Sequence, residues 1–273
     1  MTAEPVVFMG GGNMARSLIA GLLRAGLPAA QVHVAEPVAE VRAQLQADFG
    51  VTPWPTAHEA AAHGRHWVLA VKPQVLRELC GSLQALAQAQ QPLVVSIAAG
   101  IRSDQLQRWL GGGLPVVRSM PNTPALLGAG VTGLYATADV TAAQRVQAEA
   151  LLASAGQTVW VDDEALMDSV TAVSGSGPAY VFLLAEAMEA AGVAQGLPAD
   201  AARTLVVQTL LGAARMLEQS GEAPAELRRR VTSPNGTTQA AIERFQAGGF
   251  EALVASALAA AQQRGRELSA AND

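Results

Sequence analysis

Gly10-Gly11-Gly12-Asn13-Met14-Ala15 is a stretch whose spacing carries chemistry. It fits G-x-G-x-x-A, follows the apolar run Val6-Val7-Phe8-Met9, and opens a helical pattern from Met14 to Ala25. Gly10 permits a tight turn, Gly12 lets the backbone approach a pyrophosphate, and Ala15 lets helix and strand pack closely. The helix start then offers unpaired N–H groups to an anion, so Gly10, Gly11, Gly12, Asn13 and Met14 are expected to hold a dinucleotide. Glu36 lies 21 residues past Ala15, just after a second run at Val32-His33-Val34. An acid there hydrogen-bonds an adenosine ribose and repels a 2′-phosphate, which favours NADH. The competing reading is a solvated Glu36 with Arg42 nearby to meet a phosphate, so NADH and NADPH both stay open.

Three further loops fall where short apolar runs end: Ala70-Val71-Lys72-Pro73, Ser96-Ile97-Ala98-Ala99-Gly100 and Arg118-Ser119-Met120-Pro121-Asn122-Thr123-Pro124-Ala125. Ligands of open α/β sheets bind at the C-terminal ends of strands. Small Ala98 and Ala99 let a ligand approach backbone, and Pro121 and Pro124 stiffen a loop from which Asn122 can present its amide to a nicotinamide. Lys72 invites assignment as a catalytic base; a place beside the cofactor phosphates, or in solvent, is the preferred reading. Far along the chain, Ser233-Pro234-Asn235-Gly236-Thr237-Thr238 precedes a helical stretch, Gln239 to Ala247. Pro-Asn-Gly is turn chemistry and a following threonine is a good N-cap. The resulting nest of N–H groups suits a carboxylate, although a plain capped turn fits these residues equally well.

These loops need elements to carry them. Apolar runs at Val6–Met9, Val32–Val34, Trp67–Val71, Leu93–Ile97 and Val116–Arg118 alternate with helical stretches such as Gln74 to Gln88. That is the pattern of parallel strands covered on both faces. A pair at Gly130–Tyr135 and Thr158–Val161, flanking a helix over Ala142–Ala155, is expected to extend the sheet edge. After Asp162-Asp163-Glu164 the pattern turns to long, alanine-rich helices. The fold class is thus α/β: a doubly wound parallel sheet over residues 1–163, then an all-helical domain over 164–273 that buries itself against a second copy.

Composition narrows the function. The chain has 273 residues, 50% apolar and 15% charged, with net charge -5. An acidic balance argues against nucleic-acid binding. The start has no basic leader, and no apolar run of about 18 residues occurs, so a cytoplasmic protein with no membrane span is expected. A single cysteine, Cys80, excludes a disulfide framework. His58, His63 and His66 are read as solvated helix and loop residues rather than metal ligands. Residues 165–273 contain no His, Lys, Cys or Trp, so chemistry there must use hydroxyls, carboxylates, arginines or backbone amides.

Taken in order, the Gly10–Met14 block, Ala70–Pro73, Ser96–Gly100, Arg118–Ala125, Ser174-Gly175-Ser176-Gly177-Pro178-Ala179-Tyr180 and Thr232–Thr238 resemble pyrroline-5-carboxylate reductases from about residue 6 to 268. The resemblance implies a Rossmann-like domain followed by a helical dimerisation domain. It also implies reduction of the cyclic imine 1-pyrroline-5-carboxylate to L-proline by NADPH or NADH. The residue reading and the resemblance together give the expected cofactor set Gly10–Met14, Glu36, Thr56, Ala70, Val71, Lys72, Pro73, Ala98, Ala99 and Asn122, with Glu36 set against a family in which many members prefer NADPH. On the substrate side, N–H groups around Gly236, Thr237 and Thr238 would hold the carboxylate in a loop beginning at Ser233. Thr238 would reach the ring nitrogen, Val231 would pack on the ring, and Glu164 would lie near the site. An interlocked homodimer, assembled further into a ring of dimers, is implied too. Asn235 stands where the family usually has glycine. A hydroxyacid dehydrogenase of similar build would want a lysine or histidine on the helical domain, which is lacking. A non-catalytic dinucleotide-binding protein would lack the Ser233–Thr238 loop, which is present.

Overall fold

The computed structural model describes residues 4–272. The first part runs β1 (Val6–Met9), α1 (Asn13–Arg24), β2 (Val32–Ala35), α2 (Ala39–Phe49), β3 (Thr52–Trp54), α3 (Ala57–Ala61), β4 (His66–Leu69), α4 (Pro73–Gln90), β5 (Leu93–Ser96) and α5 (Ser103–Trp109). It continues with β6 (Val116–Met120), β7 (Gly130–Ala136), α6 (Ala142–Ala153), β8 (Gly156–Trp160) and α7 (Met167–Val170). Helices α8 (Gly177–Ala194), α9 (Ala199–Ser220), α10 (Pro224–Arg230), α11 (Thr237–Ala247) and α12 (Phe250–Ala271) follow.

The eight strands form one sheet in the order β3-β2-β1-β4-β5-β6-β7-β8. Strand β1 pairs in parallel with β2 on one side and β4 on the other, so chain direction switches sides next to it. The strands read as continuous apolar runs because both faces are covered. Val6 and Phe8 point into a core made with Leu18 and Leu22 of α1, Leu45 of α2 and Leu152 of α6. Val7 and Met9 point to the opposite face, against Ala60 of α3, Leu76 and Leu83 of α4 and Leu106 of α5. The period-2 alternation of a strand divides neighbours between the two layers. Burying each large apolar side chain contributes about 1.5–3 kcal/mol.

Two features depart from the sequence reading. Strand β7 runs antiparallel to β6, with Arg118 opposite Tyr135. The link from Met120 to Gly130 is too short for the crossover that a parallel pair requires. The expected edge pair is present, with β7 and β8 parallel and α6 between them. Strand β3 was not anticipated, because Pro53 and a three-residue length hide it; proline is tolerated there since β3 is an edge.

Contacts divide the chain into two compact units: the chain up to Ser176 with Ala260 onward, and Gly177–Ala259. The sequence puts its boundary after residue 163, but the next thirteen residues belong with the sheet. Met167 is buried, and Val170 fills the space above Gly133, where an added Cβ would lie 2.4 Å from it. The end of α12 packs in the same unit, where Gln105 donates to the Ser269 carbonyl and Gln262 to the Ser169 hydroxyl.

The second unit is helical, with α8 and α9 packed on each other; Ala202, Val206 and Leu227 are buried in it. Apolar surface is abundant: α8 buries none of its residues, and Phe182, Leu183 and Leu253 are about two-thirds exposed. A helix so apolar and so uncovered marks a surface for association.

Candidate functional site

The glycine turn joins β1 to α1 at the C-terminal edge of the sheet. Gly10 has φ +105°, and an added Cβ there would meet the Ala70 carbonyl oxygen at 2.8 Å. Only glycine serves at that point. The Gly10 N–H donates to the Ala35 carbonyl at 2.8 Å, which ties the turn to β2. Gly12 is different: its φ is -70° and an added Cβ would meet nothing within 4 Å. The space above Gly12 is open because it faces a cleft. As N-cap of α1, Gly12 leads into Asn13, Met14 and Ala15, whose N–H groups helix geometry leaves without intrahelical acceptors.

The cleft has a volume of about 620 Å³. Of the expected cofactor residues, Gly10, Gly11, Gly12, Glu36, Ala70, Val71 and Lys72 line it. The structure thus brings together residues from the ends of β1, β2 and β4. Val75, Glu78, Leu79 and Ser82 line it as well, a face of α4 that sequence reasoning missed. Their spacing of three, four and seven residues from Val75 is one helical stripe, the signal that marks them.

The remaining expected cofactor residues do not line the cleft. Pro73 is the first residue of α4, with Lys72 as its N-cap. Thr56 sits between Pro55 and Ala57, which do line the cleft, but its hydroxyl caps α3 in a reciprocal arrangement with Glu59. Ala98 is buried and Ala99 exposed just past β5. Asn122 is committed inside the fold. Its Nδ2 donates to the Ser174 carbonyl at 3.1 Å, and its Oδ1 accepts from the Val131 N–H at 3.0 Å. Four residues past Ser174 stands Pro178, which has no N–H, so this carbonyl lacks the usual helical donor.

Glu36 is held from two sides. Its Oε2 accepts from the Gly11 N–H at 3.2 Å and its Oε1 from the Val38 N–H at 3.0 Å. Arg42 places Nη1 2.8 Å from both the Glu36 and Pro37 carbonyls.

The expected substrate residues fall in both units. Glu164 belongs to the sheet unit, and its carboxylate accepts from the Ser103 N–H at 2.7 Å and the Ser103 hydroxyl at 2.6 Å. The buried Arg118 adds a bond at 3.1 Å and reaches Asp168 at 3.6 Å. This network braces the chain leaving the sheet and fixes the Glu164 carboxylate in place. Ser103 and Arg118 carry no sequence signal for that role.

The Ser233–Thr238 loop lies wholly in the second unit. Asn235 takes φ 59°, the left-handed conformation its side chain tolerates, so it preserves a turn that glycine would make. The N-cap of α11 is Gly236, not a threonine; Thr237 and Thr238 are the first helical residues. The Gly236 N–H donates to the Ser233 carbonyl at 3.0 Å, closing the turn. The N–H groups at the helix start are therefore those of Thr237, Thr238 and Gln239. Gln239, unanticipated, folds its Oε1 back to the Asn235 N–H at 2.7 Å. Val231 is exposed before the loop.

The histidines correct one expectation. His66 is buried on β4, where its Nε2 lies 3.2 Å from Gln147 Oε1. Exposed His63 stacks on His33 and on Trp54, with ring centroids 4.8 Å and 4.3 Å away. No group of three or more His, Cys, Asp or Glu among the described residues is arranged to hold a metal ion.

A doubly wound sheet with a glycine turn opening on a cleft at its strand ends defines the dinucleotide-binding class of α/β proteins. A family model for pyrroline-5-carboxylate reductase dimerisation matches residues 164–268, and one for coenzyme F420-dependent NADP oxidoreductase matches residues 5–100. The chain is 55% identical to a pyrroline-5-carboxylate reductase of Pseudomonas aeruginosa, over 98% of each chain. It superposes on a reductase structure of that name from Coxiella burnetii with TM-score 0.94 at 36% identity, covering 98% and 99% of the two chains. A Plasmodium falciparum pyrroline carboxylate reductase with NADP bound superposes at TM-score 0.87 and 27% identity, again over 98% and 99%. The chain belongs to the pyrroline-5-carboxylate reductase family, NAD(P)H-dependent oxidoreductases of proline biosynthesis. Its helical part is a dimerisation module of that family, in keeping with the uncovered apolar faces. No described helix is long and apolar enough to cross a membrane.

Proposed function

We propose that this chain reduces the C=N bond of 1-pyrroline-5-carboxylate to give L-proline. The observation that carries the proposal is the open cradle above Gly12, in a chain 55% identical to a relative of that name. A pyrophosphate fits this cradle, since the N–H groups of Gly12, Asn13 and Met14 face an anion where any side chain on Gly12 would intrude. When bound, the nicotinamide supplies the hydride. Lys72, at the head of α4, adds a positive charge beside the phosphates. Asn122 positions the backbone around it rather than meeting the nicotinamide with its Oδ1.

The substrate carboxylate is assigned to the first turn of α11, where the N–H groups of Thr237 and Thr238 meet the positive end of the helix dipole. The Thr238 hydroxyl steadies the ring nitrogen, and Val231 packs on the ring. A protonated imine is already electrophilic, so the protein need not donate a proton before the hydride arrives. Orientation is what the site must supply, which suits a unit without His or Lys. The same proposal includes an interlocked homodimer, its assembly into a ring of dimers, and a cytoplasmic location.

Steady-state oxidation of NADH and NADPH by pyrroline-5-carboxylate tests the reading, set against reduction of NAD+ and NADP+ by a panel of 2- and 3-hydroxyacids. Turnover with the imine and none with the hydroxyacids is expected; the reverse would sink the proposal. Thr238→Ala should lower turnover by one to two orders of magnitude, about 1.4–2.7 kcal/mol of barrier. An unchanged rate would remove Thr238 from the mechanism.

A further inference from the structure

We infer that Glu36 selects a dinucleotide whose adenosine ribose carries a free 2′-hydroxyl, so that this chain prefers NADH to NADPH. The inference rests on the assignment of the cofactor to the glycine-turn cleft and adds a choice between cofactors. Two arrangements compete for such a position: an acid fixed at the ribose, or an acid turned away while an arginine meets a phosphate. The geometry favours the first. Both Glu36 oxygens are pinned by main-chain N–H groups, Gly11 to one and Val38 to the other. The side chain therefore cannot swing aside without leaving the N–H of Gly11 unpaired at the turn.

Each carboxylate oxygen still has a lone pair for a ribose hydroxyl. A cofactor 2′-phosphate would instead meet a fixed negative charge. Among the residues that line the cleft, the acids are Glu36 and Glu78 and the base is Lys72, at the head of α4. Arg42 lies beside the Glu36 main chain and commits one nitrogen, Nη1, to the Glu36 and Pro37 carbonyls. Gly11 completes the arrangement. An added Cβ there would lie 2.6 Å from Leu45 and 3.3 Å from the Glu36 carboxylate, so the glycine lets acid and turn come together.

Titrating NADH and NADPH against the whole protein without imine, followed by cofactor fluorescence, separates this inference from the reaction. Wild type should bind NADH at least tenfold more tightly. Glu36→Gln keeps an oxygen for one N–H but removes the charge, and should shrink the preference at least tenfold, chiefly by tighter NADPH binding. Glu36→Asp, which keeps the charge, should retain a preference for NADH and guards against a misfolded Gln variant. Arg42→Ala should not weaken NADPH binding selectively. Equal or tighter NADPH binding by wild type, an unchanged ratio in Glu36→Gln, or a selective loss of NADPH in Arg42→Ala would each overturn the inference. Binding of neither cofactor would overturn the cleft assignment beneath it as well.

Discussion

At the scale of single residues, neighbouring glycines of one motif have different work. Gly10 is required by its φ of +105° and by the Ala70 carbonyl, which are demands of the fold. Gly12 has no such demand, and the proposed pyrophosphate cradle gives its absent side chain a reason. Gly12→Ala should therefore fold with a melting temperature close to wild type while NAD(P)H affinity falls at least tenfold. Thermal melts and fluorescence titration check both halves, and a variant that binds normally would show that the cradle is not where the pyrophosphate lies. The sequence displays such roles unevenly. The glycine turn and Glu36 were legible because spacing from a strand end encodes them. Asn122 and Glu164 were legible as polar residues in loops, but what they bond was not. Their partners Ser174, Val131, Ser103 and Arg118 lie 9 to 61 residues away along the chain. Residue type tells that a group must be satisfied, and only the fold tells by whom.

At the scale of elements, the strands that run apolar on both faces announced themselves, whereas β3 did not. This three-residue edge strand is held by its ladder to β2 and by the Trp54 indole, which donates to His33 Nδ1 at 3.1 Å. His63 stacks on both rings. Burial, and to a lesser extent the neighbouring His63, lowers the His33 pKa from its ordinary value of 6.5. The unfolded chain therefore binds more protons than the native one as pH falls through 6.5, so folding stability declines on acidification. Protonation at Nδ1 also removes the acceptor that the Trp54 indole uses. Denaturant titrations across this range should show wild type losing stability more steeply than His33→Gln. Equal slopes would mean that His33 does not titrate differently in the two states. Pro55 and Ala57, just beyond β3, line the cleft, so loosening this edge should weaken cofactor binding at acid pH.

At the scale of the whole molecule, the split in residue types along the chain acquires a chemical reason. The sheet unit holds every histidine and the one lysine; the helical unit has hydroxyls, backbone amides and a large uncovered apolar face. That face was readable from alanine-rich helices too small to bury themselves, and its excess of exposed Phe and Leu accords with a dimerisation module. The antiparallel pairing of β7 follows from the short link between Met120 and Gly130, whereas the packing of residues 164–176 with the sheet was not readable, because it depends on contacts around Gly133 and Arg118. In the proposed reaction a hydride passes directly to the imine carbon in a protein that supplies position rather than a strong acid. Incubating the protein with 1-pyrroline-5-carboxylate and reduced cofactor deuterated on the transferred face of its nicotinamide C4, then analysing the product by mass spectrometry and NMR, tests it most directly. The expected product is proline carrying one deuterium at the former imine carbon; unlabelled proline, or none, would contradict the account.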